Sequence, residues 1–278
     1  MRLLTNMIRF HDEFGIRKMI DIYAAAGYDG MDFNADLEEY YTDAHDEAFY
    51  REIRKYAEDK GLVFGQAHAP FASSYADEER TKQRFDEIVK GMRHAALVGA
   101  EQIVVHPCAH KRAHAPEKQE YMLEVNLAFY RALAPYAKDL GIRIAVENIP
   151  GSVTKSPEGL WSLLGELDDP VFTGCLDVGH ALISGYDPAE AVRKLKGVIG
   201  CTHIHDNDGQ GDIHTLPFYG RIDWQSLMRA FAESGYSGDL SYEAGNFVNT
   251  VPLPLRPAAA VYMAETGRCL IGMYEENR

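Results

Sequence analysis

Short apolar runs alternate with longer amphipathic windows along this chain, giving eight run–window pairs. The first run, 2–6, precedes a helical window near 12–26. The next four pairs are 28–33 with 43–60, 62–68 with 77–98, 102–106 with 117–140, and 142–147 with 156–168. The last three are 172–177 with 188–196, 198–205 with 223–234, and 240–244 with 256–274. Gly27, Gly61, Gly99, Gly141 and Gly235 each follow a helical window, where a helix commonly ends on glycine. Ser156-Pro157 and Asp187-Pro188 read as an N-cap followed by proline in the first turn. The phrases AAAGYDGMDF, AEDKGLVFG, ALVGAEQIVV and AKDLGIRIAV repeat one helix–Gly–strand form. Eight such units without a linker predict an α/β fold, a single (β/α)8 TIM barrel over residues 1–278. The alternative is an open, doubly wound sheet. It usually carries a Gly-rich phosphate loop, and no GxGxxG or Walker sequence occurs, so no nucleotide cofactor is expected.

The side chains that close these runs are of one chemical kind. His68 (LVFGQAH), His106 (QIVVH), Glu147 (RIAVE), Asp177 and His180 (GCLDVGH), His203 (GVIGCTH) and Glu243 (DLSYE) stand at or just after strand ends. Asp212 and His214 follow in a Gly-rich loop. The strand ends of such a barrel surround one mouth, so these nine residues should gather into a metal-centred site. A carboxylate at the end of a buried strand is costly without a metal or a basic partner. For Glu147 and Glu243 the bland alternative is a salt bridge to Arg143 or Arg221; for Asp177 it is a helix cap.

We expect His203 and His205 to face opposite sides of their strand, one a ligand at the mouth and the other a substrate-binding or outer group. His68, His106, His180, Asp212 and His214 form a second layer, either for further metal or for substrate hydroxyls. His11, His45, His94, His110 and His114 lack this context and read as solvated, with His110 and Lys111 also placed to rim the site. Mixed oxygen and nitrogen donors suit Mn²⁺, Co²⁺, Zn²⁺ or Mg²⁺, and the share of imidazole favours Zn²⁺.

Composition narrows the partners. Of 278 residues, 46% are hydrophobic and 25% charged, ordinary for a globular protein. No apolar run approaches the roughly 18 residues of a membrane span, and the N-terminus does not read as a signal peptide, so a cytoplasmic location is expected. Four cysteines without CxxC spacing indicate neither a disulfide framework nor a thiolate zinc site, and Cys175 and Cys201 read as core thiols. A formal charge of −14 opposes the binding of a polyanion such as duplex DNA.

VEN at Glu147, LDxGH at Asp177 and His180, HIHDN at His203, DxHxxP at Asp212, GRIDW at 220–224 and YEA at Glu243 together resemble the xylose isomerase-like TIM-barrel superfamily. That superfamily includes sugar and sugar-phosphate isomerases and epimerases, inosose dehydratase-like proteins and the endonuclease IV group. The resemblance spans nearly the whole chain. It implies a main metal site, for Zn²⁺ or Mn²⁺, at Glu147, Asp177, His203 and Glu243. It also implies a proton-handling role for the two glutamates, as in ketose epimerases. All nine residue types of the endonuclease IV trizinc site are present. Against that activity, the loop after His68, APFASSYADEERTK, carries more acid than base. HIHDNDG also lacks the Gly-Glu-x-x-Arg continuation of ketose 3-epimerases.

The expected function is therefore a divalent-metal sugar or polyol isomerase or epimerase, with proton transfer next to a carbonyl through a metal-stabilised enediolate. An endonuclease IV-like phosphodiesterase, an inosose dehydratase-like lyase and a non-catalytic sugar-binding barrel are the alternatives. The expected partner is a small carbohydrate or polyol, with no membrane or nucleic acid, and a homo-oligomer is compatible. His205 and Arg221 are expected to bind substrate, and Lys111, Arg112 and Arg221 are the cationic candidates for a substrate phosphate.

Overall fold

A computed structural model describes residues 1–7, 9–108 and 116–278, with side chains from 121 onward in the last stretch. The strands and helices alternate as the periodicity predicts. β1 (Leu3–Asn6) leads to α1 (Phe10–Ala26), and β2 (Gly30–Asn34) to a short α2 (Glu38–Tyr41) and α3 (Glu47–Asp59). β3 (Val63–His68) leads to α4 (Glu78–Val98), β4 (Gln102–Val105) to α5 (Pro116–Leu140), and β5 (Arg143–Glu147) to α6 (Pro157–Leu167). β6 (Phe172–Asp177) runs directly into α7 (Val178–Ile183) and then α8 (Pro188–Lys194). β7 (Ile199–His203) precedes α9 (Trp224–Ser234), and β8 (Leu240–Tyr242) precedes α10 (Gly245–Asn249), a 3-10 turn and α11 (Arg256–Glu276).

Side-chain caps start the helices where expected: Ser156 accepts from Gly159 N and Asp187 from Glu190 N. Two further caps, Asp46 and Asp77, do the same for α3 and α4. The helices α2, α7 and α10 were not foreseen, because four to six residues are too few to show a helical period.

All strand pairs are parallel, in the order β7-β6-β5-β4-β3-β2-β1-β8. The ring closes just beyond β7, where Ile204 N donates to Ser241 O at 2.7 Å and Glu243 N to Ile204 O at 3.0 Å. The fold is the single (β/α)8 barrel expected from the sequence. Alternate strand residues divide its apolar content. Leu3, Met31, Phe33, Ile103, Ile144 and Leu176 pack outward with helix residues such as Ile20, Ile53, Leu133 and Leu227. Val104, Ala145, Cys175 and Cys201 form a separate buried cluster of small side chains. At the N-terminal rim Arg2 donates to both oxygens of Asp239 at 2.7 Å and to Glu101 at 3.1 Å, closing the end away from the mouth.

Histidines outside the strand ends correct one expectation. His94 is buried, stacked on Tyr50 at 4.1 Å and bonded through Nδ1 to Tyr40 O at 2.8 Å. His11 bonds the Tyr40 hydroxyl at 2.7 Å, and His45 stacks on Phe49 at 3.8 Å. These three are packed into an aromatic cluster rather than solvated, because Tyr40 and Tyr50 bring it together from α2 and α3. His110, Lys111, Arg112 and His114 lie outside the described residues. No helix among the described residues is long and apolar enough to cross a membrane.

Barrel closure leaves no room for a side chain at Gly30, where a Cβ would lie 2.3 Å from Val63 O and 2.7 Å from Leu4 Cδ2. Gly30→Ala should therefore destabilise the fold by about 1–3 kcal/mol, the usual cost of overpacking. It should lower the urea midpoint without changing the slope of the transition. An unchanged midpoint would show that the β2–β3 contact is not tight.

Candidate metal centre

Three neighbouring strands and the residue after a fourth deliver the inner residues. Glu147 ends β5, Asp177 ends β6, His203 ends β7, and Glu243 follows β8. One donor atom from each lies within 4.8 Å of the others. His203 Nδ1 is 3.2 Å from Glu147 Oε1 and 3.6 Å from Glu243 Oε2. The other ring nitrogen, Nε2, faces Asp32 Oδ2 at 3.5 Å, and Gln66 Nε2 donates to that same oxygen at 2.7 Å. A carboxylate behind a histidine fixes its tautomer and leaves the opposite nitrogen free for a metal. Asn148, the Asn of VEN, pins the ends of β5 and β6 together. Its Oδ1 accepts from Asp177 N at 2.7 Å, and its Nδ2 donates to Asp177 O at 2.9 Å.

Around this set stand the other candidates, all at the same mouth. His106 Nε2 is 2.9 Å and His68 Nε2 3.7 Å from Glu147 Oε2, and the two Nε2 atoms are 3.1 Å apart. His68 Nδ1–H donates to Ala69 O at 2.9 Å, which turns the Nε2 lone pair towards the centre. His180, His205, Asp212 and His214 form a second group within the same 4.8 Å limit. His180 Nε2 is 3.3 Å and His214 Nε2 3.0 Å from Asp212 Oδ2. His180 Nδ1 also reaches Glu147 Oε1 at 3.2 Å, so the two groups share an edge.

His205 does not face away from His203. Residues two apart on a strand share a face, and His205 turns inward, fully buried, with Nε2 3.0 Å from each oxygen of Asp177. It supports Asp177 from beneath and does not line the cavity. Gly179 makes room for it: a Cβ there would lie 2.0 Å from the His205 ring.

Asp206, the Asp of HIHDN, went unnoticed in the sequence because its partners come from a later segment. Its buried carboxylate accepts from the backbone N–H of Asn207, Phe218, Arg221 and Ile222 and from Trp224 Nε1, at 2.9–3.1 Å. These bonds knot the 207–223 loop that carries Asp212 and His214. Gly220 of GRIDW is part of the same knot, since a Cβ would lie 2.2 Å from Asp206 Oδ1.

Electrostatics test whether the donors fit a cation. Buried Glu147 Oε2 and His180 Nδ1 have close ionic neighbours but no well-aligned hydrogen bond, although both point into the cluster. Burial opposes ionisation of Glu147, but the charges of His203 and His106 hold its carboxyl well below the usual range. Burial likewise opposes ionisation of Asp177, and His180 and His205 bring it down to about 2. Burial works against the imidazolium of His180, yet Asp177, Asp212 and Glu147 push it up to about 12. His68 and His214 reach about 9 against the same burial, chiefly through Glu147 and Asp212 respectively. Without metal, protons on these rings balance the carboxylates. The donor set fits a divalent ion, which would take over that balance and displace protons.

The cluster opens into a cavity of about 270 Å³, lined by His68, His106, Glu147, His180, Asp212, His214 and Glu243. Asn6, Arg9, Asn34, Asp36, Phe71, Gly245 and Asn246 complete the lining, and no sequence signal marked them. Arg221, expected to contact substrate, is exposed, directs its side chain to Asp208 O at 3.5 Å and is not part of this wall.

The family model described as xylose isomerase-like TIM barrel matches residues 20–262. An uncharacterized protein of Methanocaldococcus jannaschii, MJ1311, is 31% identical over 197 residues, 66% of this chain and 65% of that protein. Inosose dehydratase of Clostridium botulinum is 26% identical over 131 residues, 40% of this chain and 43% of the enzyme. Among solved structures, a D-tagatose 3-epimerase-like protein superposes with a TM-score of 0.79 at 23% identity, covering 99% of both chains. IOLI protein with a binding zinc atom gives 0.81 at 19% identity, again over 99% of both. At these identities the structural likeness speaks to the fold.

Purified protein should bind at least one divalent ion, and Asp177→Asn should weaken zinc affinity by more than about 100-fold, since loss of a mere supporting contact already costs about 10–100-fold. Affinity should rise from about pH 6 to about pH 8 as the imidazolium protons become easier to displace. Calorimetry in buffers of different ionisation heat measures both. Equal affinity in wild type and Asp177→Asn would remove Asp177 from the centre.

Proposed function

We propose that this chain, which belongs to the xylose isomerase-like TIM-barrel family, is a metal-dependent sugar or polyol isomerase or epimerase that moves a proton at a carbon next to a carbonyl. The observation that carries this reading is the pairing of Glu147 and Glu243 in one donor cluster with unequal surroundings. Glu147 is 1% exposed and ringed by His68, His106, His180 and His203. Glu243 is 13% exposed at its side chain, and among the described residues only His203 and His214 bring a basic group within 4.0 Å of its carboxylate.

A divalent ion held by Glu147, Asp177, His203 and Glu243 would supply Lewis acidity to adjacent substrate oxygens, making the neighbouring C–H more acidic. The two glutamates handle the protons: one, as carboxylate, takes a proton from the carbon, and the other, as carboxylic acid, gives its own proton to the carbon from a different direction. Different environments let the two hold different protonation states, as such an exchange requires. His203 and His106 keep Glu147 anionic. His214 holds the backbone of Glu243 in place, its Nδ1–H donating to Glu243 O at 2.9 Å. The amide of Asn6 on the cavity wall suits a substrate rich in hydroxyls.

Two neighbouring readings have an observation behind each. Likeness to an inosose dehydratase favours a lyase, in which the same proton abstraction is followed by loss of a β-hydroxyl. The outer group of His180, His205, Asp212 and His214 favours a multi-metal phosphodiesterase. The negative charge of the chain argues against a DNA substrate.

Sugars and inososes incubated with the metal-loaded protein in deuterated water should include a substrate that gains deuterium beside its carbonyl. Glu147→Gln and Glu243→Gln should each slow that exchange by at least about 100-fold, the usual scale of general acid–base catalysis. Metal content is measured on each variant, because both residues are also ligands. Cleavage of abasic-site DNA without exchange on any sugar would install the phosphodiesterase reading instead.

A further inference from the structure

We propose that Arg9 recognises an anionic end group, a carboxylate or a phosphate, on the substrate of this site; the inference rests on the sugar or polyol reading above. Among the described residues Arg9 is the one Lys or Arg side chain on the cavity wall. It follows β1, four strands around the ring from β5, so it faces the cavity from the arc of β8, β1 and β2 while Glu147 and Asp177 come from β5 and β6. An end group at Arg9 and a reacting carbon at the glutamates would thus lie at separate places on one molecule.

The guanidinium is uncommitted. Arg2, Arg51, Arg54 and Arg268 each reach a carboxylate within 3.1 Å. Arg9 has no such ion pair among the described residues, although Asp36, Asp212 and Glu243 share its cavity. Its Nε is shut off from solvent and has no hydrogen-bond partner. Asp36, the acid on the same arc, is already engaged by Asn34 Nδ2 at 3.0 Å. Asn34 in turn accepts from Met7 N at 2.7 Å, which ties the turn that presents Arg9 to β2. Arg9 also holds φ 75 and ψ −43, a backbone region costly for any residue but glycine.

The chemistry follows from the charge. Guanidinium stays protonated at any working pH, so its donors must be met by acceptors. A neutral polyol can accept hydrogen bonds but leaves the charge unmatched. A carboxylate or phosphate meets both needs and can take two parallel N–H bonds.

Xylitol, D-xylonate and xylitol 5-phosphate share one backbone, lack the reacting carbonyl and differ in their end group. Calorimetry with zinc-loaded protein should show one of the two anions binding at least about tenfold tighter than xylitol, in line with a charge-assisted hydrogen bond. Which anion gains distinguishes carboxylate from phosphate. In Arg9→Gln that advantage should shrink to about twofold while xylitol affinity stays unchanged, which also shows that the variant is folded. Equal binding of all three to wild type would overturn the role of Arg9 and leave the polyol site standing. An advantage that survives in Arg9→Gln would assign it to the zinc ion and likewise overturn the proposal. Failure of all three to bind would remove the polyol reading and the proposal with it.

Discussion

Three acidic side chains, Glu147, Asp177 and Glu243, are brought by barrel closure to donor distances within 4.8 Å of one another and of His203. Two of them are shut off from water. Buried carboxylates so close together repel, and desolvation adds to the cost. That arrangement persists only if positive charge is placed among them. Rings of His68, His180, His203 and His214, whose affinity for protons is raised by neighbouring carboxylates, can supply that charge as imidazolium. A divalent ion is the compact alternative. The rest of the mouth is arranged around this balance of charge.

The supporting contacts each hold one donor in place. Asn148 locks the β5 and β6 ends in register, and Asp32 with Gln66 stands behind His203. His205 braces Asp177, and Asp206 gathers five donors to fold the loop that carries Asp212 and His214. At the opposite rim Arg2 and Asp239 form a bidentate pair. The mouth instead crowds the carboxylates and imidazoles of Glu147, His180, His203 and His205 together. This is the usual division of labour between the two faces of the fold.

Much of this was legible in the sequence for a simple reason. A strand end is a local feature, and residues that close apolar runs in a repeating strand–helix chain must meet at one mouth. Hence the nine ligand-type residues, from His68 to Glu243, fall on one cavity and its floor. What escaped depended on tertiary partners. His205 departs from the expected opposite face, since its two-residue spacing from His203 puts both inside. Asp206 and Arg9 look like loop charges until the chain closes around them, and Arg221 has the right charge but an outward course. His11, His45 and His94 carry no mark of the aromatic cluster that α2 and α3 build around them.

The central point is that the inner four side chains hold one ion between them. Anomalous diffraction from zinc-soaked crystals, recorded on both sides of the zinc absorption edge, tests it directly. The strongest peak should lie about 2.0–2.2 Å from donor atoms of Glu147, Asp177, His203 and Glu243 together. A peak confined to His180, Asp212 and His214, with none among the inner four, would contradict it.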